Sequence, residues 1–344
     1  MLSYRSSNYA AILSGILLIL IFPRADMWAL AWVALLPLLL AVQGKSPRLA
    51  FSLGSISGAT AYMGIIYWIA YTLIQYGHLP FILGVGLLLL LVFYLALYIA
   101  FFAAVSAAAQ AYFPRIWPLA SAAFWVALEY IRTYFLTGFP WALLGYSQYS
   151  ALPVIQIADI TGVYGVSFLI ILVNGVLAQW LIRYSAKDKP AGFARFKPPW
   201  MLYPALALMF LCILYGYNRL AAFPLKNPSG KGLRVAVIQG NIPQEDKWNP
   251  WYQKWVMDTY LRLLMENDTL PRAICFYTDG VKLVIEGSPL LERLSQIEQK
   301  GVRLIICSTC LDFFKITDKV RVGVVGGMPD IIEAQVSAKK VITL

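Results

Sequence analysis

The chain has 344 residues, of which 60% are hydrophobic and only 13% charged, and its mean hydropathy is +0.67. That composition excludes an ordinary soluble globular protein. The net charge of +11 is uneven: up to Tyr217 there are 11 Lys/Arg against 4 Asp/Glu, and from Asn218 onward 17 against 13. The basic excess therefore belongs mostly to the apolar part, where it reports loop topology rather than nucleic-acid binding.

Apolar runs cover residues 9–22, 27–43, 49–74, 80–112, 117–136, 162–182 and 200–217. A spanning helix needs about 20 apolar residues, so residues 1–217 are expected to form a membrane domain of about seven transmembrane helices. Phe22-Pro-Arg-Ala-Asp26 after the first run lacks a small-x-small cleavage site, and that run is read as a helix rather than a signal peptide. The runs at 49–74 and 80–112 exceed the required length and are expected to tilt or protrude. Alternate loops carry Arg5, then Lys45 and Arg48, then Arg115, then Arg183, Lys187, Lys189, Arg195 and Lys197; the other set offers only Arg24. The positive-inside rule then places the N-terminus in the cytoplasm and everything after Tyr217 outside it.

Glu129 and Arg132 lie one helical turn apart inside the fifth run. Charges there are costly and usually paired, so a structural ion pair is expected. The uncharged connection that follows, Thr137-Gly-Phe-Pro-Trp141-Ala-Leu-Leu-Gly145-Tyr146-Ser-Gln148-Tyr149, is rich in aromatics and glycine. It reads equally as a set of interfacial anchors and as a loop shaping a lipid-facing cavity.

Past a linker at 218–232 the character changes. Leu233–Gln239, Arg272–Tyr277 and Val302–Cys307 read as strands. Asn249–Asn267 reads as a helix, as does the stretch from Ser288-Pro289, as N-cap and N1, to Gly301. Alternation of strand and helix implies an α/β layer with parallel strands, whose active groups lie at carboxyl ends; Gln239, Asp279 and Cys307 fall there. The four cysteines make no disulfide framework. Cys307 and Cys310 have C-x-x-C spacing, but no second pair completes a zinc site, and they read as small apolar residues at a strand end. His78 cannot anchor a metal alone. No metal or cofactor is expected.

Glu129-Tyr-Ile-Arg132, Leu136-Thr-Gly-Phe-Pro-Trp141 and Gly145-Tyr-Ser-Gln148, followed by Val237-Ile-Gln-Gly-Asn-Ile-Pro-Gln244 and Lys247-Trp248, resemble the bacterial apolipoprotein N-acyltransferase family. The resemblance runs over approximately residues 9–308 and implies a multi-pass α-helical membrane domain followed by a nitrilase-like α/β domain, here partial, at 233–310. It implies location in the bacterial inner membrane with the soluble domain periplasmic. It also implies a phospholipid acyl donor and a lipoprotein acceptor, whose diacylglyceryl-cysteine amine receives the chain through an enzyme cysteine thioester. Trp141, Tyr146, Gln148, Asn241 and Trp248 would face lipid or substrate, and Asp279 would stand in place of the family's catalytic glutamate. The family's lysine and nucleophilic cysteine have no match: Lys315, Lys319, Lys339 and Lys340 lie outside its lysine motif, and Cys307 stands where the family has its third strand. Residues 311–344 are expected to be a diverged tail, the chain a truncated or diverged member, and transfer by this chain alone impaired. A complementing subunit, a split enzyme or a non-catalytic binding relative would each account for that. A small transporter is disfavoured by the absence of an evident internal repeat and by the scarcity of mid-membrane polar residues.

Overall fold

The computed structural model describes residues 4–184, 198–222, 239–247, 249–266 and 270–337. The chain divides into two compact units, Met1–Lys226 and Asn227–Leu344.

The first unit is all helical: α1 (Tyr4–Leu20), α2 (Leu36–Ala41), α3 (Pro47–Ile66), α4 (Trp68–Gln75), α5 (Phe81–Tyr112), α6 (Trp117–Tyr134), α7 (Leu152–Ile155), α8 (Ala158–Thr161), α9 (Val163–Tyr184) and α10 (Leu202–Ala222). By length and composition α3, α5, α9 and α10 could each cross a membrane. The second apolar run does not form a continuous spanning helix. It breaks into a 3-10 turn at Trp28–Trp32 and the short α2. A break in apolar surroundings frees backbone groups that cost several kcal/mol each if left unpaired. Asn174 of α9, fully buried, repairs this one: its Oδ1 accepts the Leu35 N–H at 2.9 Å, and its Nδ2 donates to Ala31 O at 2.9 Å and to Ile170 O at 2.8 Å.

Small residues let α3 and α5 approach closely. Gly54 and Gly58 lie one turn apart on α3, facing Ala96, Ala100 and Ala103 of α5. A Cβ on Gly54 would stand 2.6 Å from Ile99 O, and one on Gly58 2.8 Å from Ala96 Cα. Apolar side chains gain little by leaving lipid for one another, so this backbone approach supplies the packing.

In the second unit, α11 (Gln244–Lys247) and α12 (Gln253–Met265) precede β1 (Ala273–Phe276), α13 (Leu291–Gln299), β2 (Arg303–Cys307), α14 (Ser308–Phe314), β3 (Val324–Gly326) and α15 (Met328–Ser337). The three strands are parallel in the order β1-β2-β3, with Phe276 beside Ile306 and Cys307 beside Gly326. Leu304, Ile305, Ile306 and Cys307 are all buried, as expected for a central strand covered on both faces. The helix expected from Ser288 starts two residues later than a direct cap would put it. Ser288 Oγ accepts the Leu290 N–H at 3.3 Å, and the helix begins at Leu291.

Two expected boundaries are redrawn. Residues 218–222 of the linker are the last turn of α10. The layer also does not stop at Cys310, because β3 pairs with β2 and Ile331 of α15 joins the same core. The first expected strand, at 233–239, lies outside the described residues except for Gln239.

Overpacking the α3–α5 contact should be costly. Gly58→Leu is expected to destabilise by about 1–3 kcal/mol, read as a lower thermal midpoint in detergent. Gly86→Leu on α5, where a Cβ meets nothing within 4 Å, should leave the midpoint nearly unchanged. Equal midpoints for the two variants would contradict this packing.

Candidate functional site

A buried polar construction in the first unit surrounds Glu129 and Arg132, both on α6. The expected ion pair between them is not formed, because each side chain is engaged by the loop that follows. Glu129 Oε1 accepts the backbone N–H of Leu144 at 2.7 Å. Arg132 donates to Ala142 O at 3.2 Å, more weakly to Trp141 O at 3.5 Å, and to the hydroxyl of Tyr62 on α3. The loop is fastened further by Phe139 N–H to Arg132 O at 2.8 Å, Gly145 N–H to Ser167 Oγ at 2.9 Å, and Ser147 Oγ–H to Leu144 O at 2.7 Å. A carboxylate and a guanidinium, which the apolar setting would otherwise penalise heavily, thus serve as anchors for loop backbone.

The loop they hold is strained. Leu136, Thr137 and Ala142 have φ of 50°, 70° and 55°, a region L-residues rarely adopt, and Gly138 has φ 85°. Such conformations cost about 1–3 kcal/mol each and persist only where the surroundings over-determine them. A Cβ on Gly138 would stand 2.0 Å from Thr133 O, so the chain can turn here only without a side chain.

The loop divides its side chains between two faces. Trp141 is 52% exposed and stacks on Trp68 of α4 with centroids 5.1 Å apart; Tyr146 and Tyr149 are also about half exposed. Gln148, expected to face lipid or substrate, points inward instead and is fully buried. Its amide is consumed by the broken second segment: Nε2 donates to Trp28 O at 2.9 Å, and Oε1 accepts the Trp32 indole N–H at 3.2 Å. Tyr149 OH donates to Asp26 Oδ2 at 2.8 Å, and Arg24 lies over the Tyr67 ring. The 22–28 turn, the Tyr67–Trp68 end of α4 and the 136–149 loop therefore meet at one end of the unit. The opposite end gathers Gln110 Nε2 on Leu39 O at 3.1 Å and Gln179 Nε2 on Pro114 O at 2.8 Å, beside Arg115.

In the second unit Asp279 follows β1, in a 3-10 turn from Thr278 to Val284. Its carboxylate is 78% exposed and paired with Lys282, whose Nζ also lies 4.2 Å from the Phe314 ring centroid. It lines neither of two cavities found among the described residues. The larger, an open cleft of about 340 Å³, lies beside Arg303, Val324 and Asp330; the smaller, of about 10 Å³, lies beside Glu129, Arg132 and Tyr62 in the first unit. Asn241 is exposed with φ 49°, its Oδ1 accepting from Gln239 Nε2 at 2.8 Å. Trp248, Lys339 and Lys340 lie outside the described residues.

Cys307 ends β2 and Cys310 follows on α14, its Sγ accepting the Thr278 backbone N–H at 3.2 Å. Burial pushes the Cys307 thiol up, but hydrogen bonds from Cys310 and Thr309 outweigh that and hold it below the ordinary thiol value. For Cys310 the Thr278 N–H lowers the value; partial burial and the neighbouring Cys307 together outweigh it and raise the thiol above the ordinary value.

Four helices of spanning length and apolar composition fit a membrane domain, and with the relatives below they fit a protein of a bacterial inner membrane. Residues 14–176 match the model of the apolipoprotein N-acyltransferase N-terminal domain. The chain is 46% identical over 266 residues to the apolipoprotein N-acyltransferase of Geobacter metallireducens, covering 75% of this chain and 48% of the relative. It is 32% identical over 217 residues to that of Nitrosomonas europaea (62% and 40%), and 30% over 266 to that of Photobacterium profundum (75% and 46%). The chain belongs to the apolipoprotein N-acyltransferase family. It spans about half the length of the curated relatives it matches. Residues 259–344 match a different model, that of the DsrE/DsrF-like family.

If Glu129 positions the loop, Glu129→Ala should leave the Leu144 N–H buried and unpaired, at about 1–3 kcal/mol. Limited proteolysis between residues 137 and 149 should then accelerate several-fold. Glu129→Gln, which keeps an acceptor, should be cleaved at close to the parental rate; equal protection of all three proteins would rule out the anchoring role.

Proposed function

We propose that this chain acts in lipoprotein maturation as the membrane platform of an apolipoprotein N-acyltransferase system, receiving a phospholipid acyl donor and a lipoprotein acceptor at the 136–149 loop without completing the transfer by itself. The observation that carries this reading is the loop itself: strained backbone held from below by Glu129 and Arg132, with Trp141 and Tyr146 left exposed above. Rigid amphipathic rings at a membrane surface suit contact with acyl chains on one side and headgroups on the other. In the orientation we favour, the basic end holding Lys45, Arg48, Arg115 and Arg183 faces the cytoplasm and the loop faces the periplasm, with the chain threading about seven segments, several short or broken.

The chemistry of a thioester route asks for an activated cysteine, a carboxylate within reach and a donor for the oxyanion, gathered in one enclosed site. Asp279 is solvated and occupied by Lys282, which supports a chain that needs a complementing subunit. A non-catalytic binding relative is the second reading, favoured by the same solvated carboxylate. For the α/β unit, the match over 259–344 and a parallel layer continuing to Gly326 support a DsrE/DsrF-like module. On this reading nitrilase-like character is confined to the stretch before Thr259.

Two measurements test the proposal. A phospholipid with a photoreactive acyl chain should crosslink to the peptide containing Trp141, and Trp141→Ala should reduce that yield several-fold. Unchanged crosslinking would overturn the loop's role. Incubation with phospholipid labelled in its acyl chain should give no hydroxylamine-sensitive acyl-enzyme. A labelled thioester would overturn the claim of incomplete chemistry, and its loss in Cys307→Ser would make Cys307 the nucleophile.

A further inference from the structure

The cysteine pair that acyl transfer leaves unused is placed where open α/β layers carry their chemistry. Cys307 is the last residue of the central strand, and Cys310 lies one helical turn on. Both sit at the carboxyl end of the sheet, where Cys310 meets Thr278, two residues past the end of β1. Cβ atoms three residues apart on a helix are about 5–6 Å apart, and a disulfide needs about 4 Å. Cys307, however, is the residue before the first helical position and stands in extended backbone (φ −68°, ψ 112°), so the helical spacing does not hold for this pair, and the two thiols already interact with each other. They differ in access. Cys307 is fully buried, whereas Cys310 is half-buried and receives the Thr278 N–H.

We propose that Cys307 and Cys310 form a reversible dithiol–disulfide centre that exchanges with disulfide-bearing partners through Cys310. The Cys310 thiolate attacks one sulfur of a partner R–S–S–R, forming a mixed disulfide and releasing one R–S⁻. The Cys307 thiolate then attacks Cys310 Sγ, closing the internal disulfide and releasing the second R–S⁻. The two thiol protons pass to the two leaving thiolates, so two cysteines are oxidised and one partner disulfide is reduced to two thiols. The Thr278 N–H is placed to stabilise negative charge on Cys310 during exchange. The polarity is the reverse of a motif whose first cysteine is the accessible one: here the first cysteine is sheltered and resolves. Nothing in this inference depends on acyl transfer.

The test uses the full chain in detergent, equilibrated with glutathione and glutathione disulfide over a range of ratios, acid-quenched, alkylated and mapped by mass. Both cysteines lie in the tryptic peptide Leu304–Lys315. Under oxidising ratios that peptide should lose both alkylation sites and two hydrogens, reversibly with dithiothreitol, while Cys212 and Cys275 remain alkylated after unfolding. Cys307→Ser should trap a glutathione adduct on Cys310, and Cys310→Ser should leave Cys307 unmodified. A peptide that stays doubly alkylated at every ratio would overturn the proposal, as would glutathione adducts in the parent protein without an internal bond. An adduct on Cys307 in Cys310→Ser would overturn the assignment of Cys310 as the point of attack.

Discussion

A charge inside a hydrocarbon layer must be answered by something, and in this chain the answer to Glu129 and Arg132 organises one end of the membrane unit. Had the two side chains simply neutralised each other, the 136–149 loop would have had no buried partner and its strained residues nothing to hold them. Instead the carboxylate takes one loop N–H and the guanidinium takes loop carbonyls and a tyrosine of a neighbouring helix. The cost of two buried charges is offset by hydrogen bonds to otherwise orphaned backbone. From that anchor the dependence spreads outward: Gln148 ties the loop to the broken second segment, and Tyr149 ties it to Asp26.

Much of this was legible in the chain. Apolar runs located each long helix described in the first unit, because length and hydropathy are what a bilayer selects. The motif around Glu129 and the following aromatics pointed to the region that the structure builds most carefully. What could not be read was direction. Composition marks Gln148 as a polar residue in an interfacial loop, but only the position of Trp28 and Trp32 shows that its amide is needed inside. The Glu129–Arg132 spacing suits an ion pair equally well, and the choice was made by acceptors and donors nine to fifteen residues later in the chain. Gly54 and Gly58 carry a spacing signal for close helix approach, which the hydropathy of their run does not convey.

In the α/β unit the strands at Arg272–Tyr277 and Val302–Cys307 were readable from apolar, β-branched character, and both formed within a residue of expectation. Beyond Leu311 apolar residues are still frequent, but they do not mark the strand. β3 is only three residues long and its first two are exposed, so periodicity had little to work with, and only pairing with β2 identifies it. The cysteine pair shows a different limit. Spacing alone cannot distinguish an inert strand end from a reactive junction; the Thr278 contact and the contrast in burial carry that distinction.

The repair of the broken second segment by Asn174 has a consequence for how the protein is made. Ala31 and Leu35 leave the ribosome long before Asn174 does, and the membrane offers their freed carbonyl and amide nothing in exchange. Until α9 is inserted, that early segment is a poor resident of the bilayer. It has to wait at the aqueous boundary or be sheltered by the insertion machinery. Nascent chains ending before residue 174 should therefore be the ones that quality-control proteases recognise, and the hydrogen bonds of one asparagine mark the point in synthesis at which the first segments become settled.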